Sequence, residues 1–170
     1  QIENEYYNVI RPKQPFKACE RPVTALYNRG VAYLEVRLMD IDIDEPTGIS
    51  EDTSAFLELF LLMCLLTKGT PCQTLDRSLS KQNFLNTAHF GRKPGLNLLR
   101  CTQSITPKDW GTDILQACMK IAEQLDDVAA TDKGYWQSIV EKQLTHLRTN
   151  TIPSETITQT ALAHPEAYET

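Results

Sequence analysis

The sharpest pattern in the chain is an alternation over residues 31–38. Ala32, Leu34, Val36 and Leu38 make one unbroken apolar row, while Val31, Tyr33, Glu35, Arg37 and Met39 make the other. Successive side chains of a strand point to opposite faces, so this segment predicts a strand with one core-facing side and one polar side. Residues 1–11 repeat the theme. Ile2, Tyr6 and Ile10 share one parity, and Glu3, Glu5, Tyr7, Val9 and Arg11 share the other. Pro12, Pro15 and Pro22 then punctuate a loop, and a short helical turn is expected at 25–28, closed by Arg29-Gly30.

From residue 50 the period changes. Ser50 with Glu51 and Asp52 suits a helix start, and Lys68-Gly69 suits its end. Residues 55–66 are apolar except for Glu58, which predicts a helix buried on nearly all sides. A second helix is expected at 79–87, then a loop at Gly91-Arg92-Lys93-Pro94-Gly95-Leu96. Ile114, Ala117, Cys118, Ile121 and Leu125 recur at helical spacing within 109–125. Ile139, Val140, Leu144 and Leu147 do so within 135–147, and Ser154 is read as the cap of a last helix. Strands within 1–40 followed by mainly helical structure over 50–170 is the α+β order. Gln1 falls inside a patterned segment and Glu166 to Thr170 carry no helix stop signal, so the chain is expected to be part of a longer protein.

Composition narrows the function classes. Of 170 residues, 41% are apolar and 23% charged, which is ordinary globular usage and argues against general disorder. Lys plus Arg number 17 against 22 Asp plus Glu, for a net charge of −5. That balance offers no basic surplus for nucleic acid and none for a membrane surface. The 55–66 run is too short to span a bilayer. Five cysteines without C-x-x-C spacing argue against a disulfide framework or a zinc site, and reduced thiols fit a cytoplasmic protein.

The strand at 31–38 holds the strongest chemical anomaly. Glu35 and Arg37 lie on one face of a strand whose other face is wholly apolar. A solvated outer face with a cross-strand ion pair is the plain reading. If the first strand lies beside it with polar faces together, Glu3, Glu5, Tyr7 and Arg11 join a lined cleft. Clustered carboxylates recruit a hard cation such as magnesium, and arginine beside them suits a phosphoryl group in transfer. Gly91 to Gly95 is basic but lacks the P-loop spacing, and a structural turn is the preferred reading. Asp40, Asp42, Asp44 and Glu45 lack the glycine and glutamate of an EF-hand.

These residues also carry a resemblance. Gln1-Ile2-Glu3-Asn4-Glu5-Tyr6-Tyr7 with Ile10-Arg11-Pro12-Lys13 resembles the proteobacterial-type glutamate–cysteine ligases (γ-glutamylcysteine synthetases). So do Arg29 to Arg37, Asp40-Ile41, Gly48-Ile49, Phe56-Leu57 with Leu59-Phe60, and Gly91 to Leu96, in the same order. The resemblance covers residues 1 to about 127 and implies a glutamine-synthetase-like antiparallel sheet curved into a funnel, with helices on its outer face. It implies ATP-dependent joining of the γ-carboxylate of L-glutamate to L-cysteine through γ-glutamyl phosphate, the first step of glutathione biosynthesis, with ATP and Mg2+ as cofactors. Carried over position by position, Glu35 resembles a metal ligand, Arg37 the catalytic arginine of phosphoryl transfer, and Tyr7 an aromatic of the cysteine pocket. Two departures stand out: Asp42-Ile43 where the family continues Asn-Pro, and Arg29 where it often has glycine. The family's other metal carboxylates lie upstream of Gln1, so this chain alone is expected to be inactive. The resemblance implies small-molecule partners (L-glutamate, L-cysteine and ATP); no nucleic acid or membrane is expected from the charge balance, and no obligatory protein partner is evident. A non-catalytic α+β interaction module, or a related ligase with another acceptor, stays open as an alternative.

Overall fold

The computed structural model describes residues 9–37, 39–69, 74–129, 132–149, 151 and 153–164. Tyr7, Glu3, Glu5, Leu38 and Cys72 lie outside the described residues. The chain is α+β and divides into two units, 1–50 and 51–170. None of the described helices is long and apolar enough to cross a membrane.

In the first unit, β1 (Ile10–Lys13) pairs antiparallel with β2 (Tyr33–Val36), and α1 (Pro22–Arg29) lies between them in sequence. Arg11 stands opposite Glu35, Pro12 opposite Leu34, and Lys13 opposite Tyr33. Flanking bonds from Ala32 N–H to the Lys13 carbonyl (2.8 Å) and from Arg37 N–H to the Val9 carbonyl (2.7 Å) extend the ladder at both ends. Helix α1 starts on Pro22, whose missing N–H costs nothing in a first turn. It stops at Gly30, which takes φ 75° and returns its N–H to the Leu26 carbonyl. The apolar row of β2 was expected to pack on a core. Instead Leu34 remains 46% exposed, and Ala25 is the one buried apolar side chain of this unit among the described residues. Two strands alone cannot enclose a face.

The second unit contains α2 (Glu51–Leu66), α3 (Thr74–Phe90), a hairpin of β3 (Leu98–Arg100) and β4 (Gln103–Ile105), then α4 (Pro107–Val128), α5 (Tyr135–Thr149) and α6 (Pro153–Ala163). Its core is a three-helix cluster: Leu59 and Met63 of α2, Leu115, Cys118 and Ala122 of α4, and Val140 and Leu144 of α5. Gly111 lets α4 and α5 approach closely, because a Cβ there would sit 3.3 Å from a Leu147 methyl. Helix α2 is not buried on all sides. Only Ala55, Leu59 and Met63 are enclosed, at spacings of four, while Leu65 and Leu66 are exposed. Within this unit α4 and α5 approach one side of it.

Asp126 ties α4 to α5. Its carboxylate accepts from the N–H groups of Trp136 and Gln137 and from the Gln137 side-chain amide, each at 3.0 Å. It thereby fills donors that the first turn of α5 leaves without helical partners. Burial pushes its pKa up, but these hydrogen bonds outweigh burial and hold it below the usual carboxylate value. Ser154 lies inside the first turn of α6, which begins on Pro153, so it does not occupy the cap position expected of it.

Two predictions follow from this packing. Leu59 is fully enclosed, so Leu59→Ala should lower the unfolding free energy by about 2–5 kcal/mol. Leu65→Ala should stay within about 0.5 kcal/mol in the same denaturant titration. Asp126 has a folded pKa below its unfolded one, so its contribution is full above the unfolded value and fades as pH falls through the folded one. Asp126→Ala should cost about 1–3 kcal/mol at neutral pH. The gap to wild type should close in acid; a gap that stays constant with pH would contradict the capping role.

Candidate functional site

The register of β1 against β2 makes the site. Odd-numbered residues of both strands share a face, so Arg11, Lys13, Tyr33, Glu35 and Arg37 lie together. Among the described residues of this face, Glu35 is the single carboxylate beside three cations. Arg37 Nε donates to Glu35 Oε1 at 2.5 Å, and a terminal Arg37 nitrogen lies 2.5 Å from the same oxygen. Lys13 Nζ reaches Glu35 Oε2 at 2.9 Å from the diagonal position on β1. The Glu35, Lys13 and Arg37 side chains are each about 31% exposed. The Lys13 ammonium first, and then the Arg37 guanidinium, hold the Glu35 carboxyl below its usual pKa.

The sequence reading expected carboxylates to cluster here. Among the described residues, no group of three or more His, Cys, Asp or Glu side chains could hold a metal ion. Glu3 and Glu5, expected to belong to that cluster, lie outside the described residues; the described part of the face, with Arg11, Lys13 and Arg37 against Glu35, favours anionic oxygens. Glu35 can supply one hard oxygen ligand to a divalent cation but cannot form a metal site by itself. Arg37 stands beside Glu35 as the alternation predicts, and Tyr7 lies outside the described residues.

A polar lock sets the course of the chain into β2. Arg29 donates twice to Glu20, at 2.8 Å each, and once to the Pro15 carbonyl at 2.7 Å. Gln14 donates to the carbonyls of Arg29 and Gly30. Arg29 and the Lys17 N–H together pull the Glu20 pKa down to about 2. The arginine that departs from the resembled family thus has a structural partner, Glu20, which the sequence reading did not connect to it.

The other candidates resolve into structure. Asp42 Oδ1 accepts from Asp44 N–H at 3.1 Å, and Asp42 N–H donates to the Gly48 carbonyl at 3.0 Å, closing the acidic loop on itself. Arg92 pairs with Glu155, and Lys93 Nζ sits 5.9 Å over the Phe90 ring. The basic turn is therefore engaged within its own unit. A shallow cavity of about 320 Å³ opens between α3, the β3–β4 hairpin and α4, with Asn83, Arg100, Cys101 and Trp110 among its walls. Arg100 is held there by Asp113 at 2.6 Å. Cys19, Cys64 and Cys101 are exposed free thiols, and burial, followed by Cys64, pushes buried Cys118 up to about 11.

Comparison with known proteins shows the family to which the chain belongs. Residues 1–87 match the glutamate–cysteine ligase family. A glutamate–cysteine ligase of Pseudomonas syringae pv. syringae is 39% identical over 99% of this chain and 31% of its own length. That of Janthinobacterium sp. is 40% identical over 99% of this chain and 32% of its own. A crystal structure of the Francisella tularensis glutamate–cysteine ligase in complex with AMP superposes with a TM-score of 0.85 at 37% identity, covering 96% of this chain and 32% of that one. The chain belongs to the glutamate–cysteine ligase family, and it spans about a third of the length of the relatives it matches.

The Lys13–Glu35–Arg37 cluster has a direct test. In an NMR titration, the Glu35 carboxyl of wild type should titrate below the ordinary glutamate range. The cluster is intact above that midpoint and dissolves as pH falls through it. Lys13→Met should move the midpoint upward. A wild-type midpoint at or above the ordinary range would mean that the cations do not hold Glu35 in solution.

Proposed function

We propose that this chain is part of the catalytic domain, over 1–170, of an ATP-dependent glutamate–cysteine ligase. The reading is supported most by the meeting of Glu35 and Arg37 on one ribbon face within residues that match this family. The reaction joins the γ-carboxylate of L-glutamate to the amine of L-cysteine. ATP phosphorylates the carboxylate, releasing ADP; the cysteine amine attacks the γ-glutamyl phosphate, and inorganic phosphate leaves. This is the first step of glutathione biosynthesis, and its substrates are those of the cytoplasm. Nucleotide use agrees with the AMP held by the Francisella ligase.

In this reading the β1–β2 ribbon is one segment of a funnel-shaped antiparallel sheet. The remaining strands and most metal carboxylates come from parent residues outside this chain. Those residues also cover the half-exposed apolar row of Leu34 and Val36. Arg37 is the catalytic group. Charge spreads over the phosphoryl oxygens mainly during transfer, and a guanidinium placed there acts on the transition state. Held by Glu35, it is already oriented before substrate arrives, which lowers the reorganisation needed at the moment of reaction. Glu35 would supply one oxygen to a bound Mg2+, which would neutralise phosphate charge. Tyr7 forms part of the pocket for the cysteine side chain.

The test is coupled ADP release by the full-length parent. Arg37→Ala should lower kcat by on the order of 10²–10³ with little change in glutamate or cysteine binding. Glu35→Gln should lose activity that partly returns at raised magnesium, because mass action refills a weakened site. The 170-residue chain alone should show no turnover. Wild-type rates in the Arg37 variant, or turnover by the isolated chain, would contradict the assignment.

A further inference from the structure

Arg11 stands apart from the other charged groups of the odd-numbered face. It lies directly opposite Glu35 in the ladder. Yet Glu35 turns one oxygen to Arg37 and the other to Lys13. Arg37 has a further partner besides Glu35, so its charge is engaged as well. Among the described residues, the Arg11 side chain has no ion pair or hydrogen bond. Its side chain is nevertheless half-buried, on a face shared with two other cations. Like charges on neighbouring positions of a ribbon repel. A planar fork of five donors left unspent in such a place suits an anion that arrives from outside.

The charge of the face selects among the anions of the reaction. An amino-acid substrate brings an ammonium with its carboxylate, and three cations against one carboxylate repel that ammonium. The phosphate chain of a nucleotide brings negative charge alone. The bond from Arg37 N–H to the Val9 carbonyl puts Arg37 two positions along the ladder from Arg11, a diagonal neighbour on the same face. Diagonal neighbours lie about 7–8 Å apart, within reach of two long side chains that converge on successive phosphates.

We infer that Arg11 binds the phosphate next to the one that is transferred, the β-phosphate of the nucleotide, and so makes the site hold ADP more tightly than AMP. The inference rests on the reading of Arg37 as the arginine of phosphoryl transfer. Arg37 meets the group that moves, and its interaction strengthens during transfer. Arg11 meets a phosphate that is present before and after transfer. It therefore binds ground state and transition state alike, and acts on nucleotide affinity instead of on the chemical step.

The experiment measures ADP and AMP binding to the full-length protein by isothermal titration calorimetry in one buffer, with kcat and KM for ATP, L-glutamate and L-cysteine alongside. Arg11→Gln should weaken ADP binding by about 10-fold, the scale of one hydrogen bond to a charged group, and raise KM for ATP with little change in kcat. AMP, which lacks the β-phosphate, should bind within about twofold of wild type. Arg11→Lys, which keeps the charge and loses the fork, should fall between wild type and Arg11→Gln for ADP. Unchanged ADP binding in both variants overturns the inference. Equal losses for ADP and AMP overturn it too, since Arg11 would then support the fold and not the β-phosphate. A raised KM for glutamate or cysteine with ADP binding intact would give Arg11 to an amino-acid carboxylate instead. If Arg37→Ala turns over at the wild-type rate, the reading of the face has failed and the inference falls with it; a slow Arg37→Ala beside unaltered ADP binding in both Arg11 variants overturns the inference alone.

Discussion

The antiparallel register of β1 and β2 is the constraint on which the site depends. With Arg11 opposite Glu35, every odd-numbered side chain of the ribbon falls on one face. A slip of one residue would send the cations of β1 to the face of Leu34 and Val36. Glu35 would then keep Arg37 and lose Lys13. The register is held by bonds beyond the strands as well as within them, at Ala32–Lys13 and at Arg37–Val9. The Arg29–Glu20 pair and the Gln14 amide fix how the chain returns from α1 to β2. The site geometry is thus a backbone property, expressed through parity.

The two units are stabilised by different means. The first leans on ladder hydrogen bonds and exposed ion pairs, because its described residues enclose almost nothing apolar. Exposed pairs are worth little individually, so this ribbon derives its order from main-chain pairing. The second has a true core, in which Leu59, Cys118, Ala122 and Val140 are completely enclosed. Asp126 adds a buried carboxylate whose three donors come from the start of α5. Such a group stabilises only while every lone pair in need of a partner has one, which makes the α4–α5 junction sensitive to acid.

How much of this was legible depended on whether the signal was local. Parity placed Glu35 and Arg37 on one face, and helical spacing marked Ile139, Val140 and Leu144 as core; these are properties of adjacent residues. The α2 expectation failed because a uniformly apolar helix carries no information about which side finds neighbours, and only the Ala55–Leu59–Met63 stripe does. The β3–β4 hairpin was missed because its two-residue turn puts Cys101 at φ 56°, where asparagine or glycine is the usual resident. Asp126 and the Arg29–Glu20 pair escaped notice because their partners are nine to eleven residues away, across the α4–α5 connection in one case and the length of α1 in the other. The cationic balance around Glu35 was hidden for a related reason: Lys13 belongs to the other strand, and only the register brings it there.

The central claim is that the face built by Lys13, Glu35 and Arg37 receives the phosphoryl group. The most direct measurement is a crystal structure of the full-length protein with a non-hydrolysable ATP analogue, L-glutamate and Mg2+. The account predicts phosphate oxygens within hydrogen-bond distance of Arg37, with Glu35 still bound to it through Oε1. An analogue whose phosphates lie away from the odd-numbered face of β1 and β2, with the Lys13–Glu35–Arg37 cluster unchanged and exposed to solvent, would contradict it.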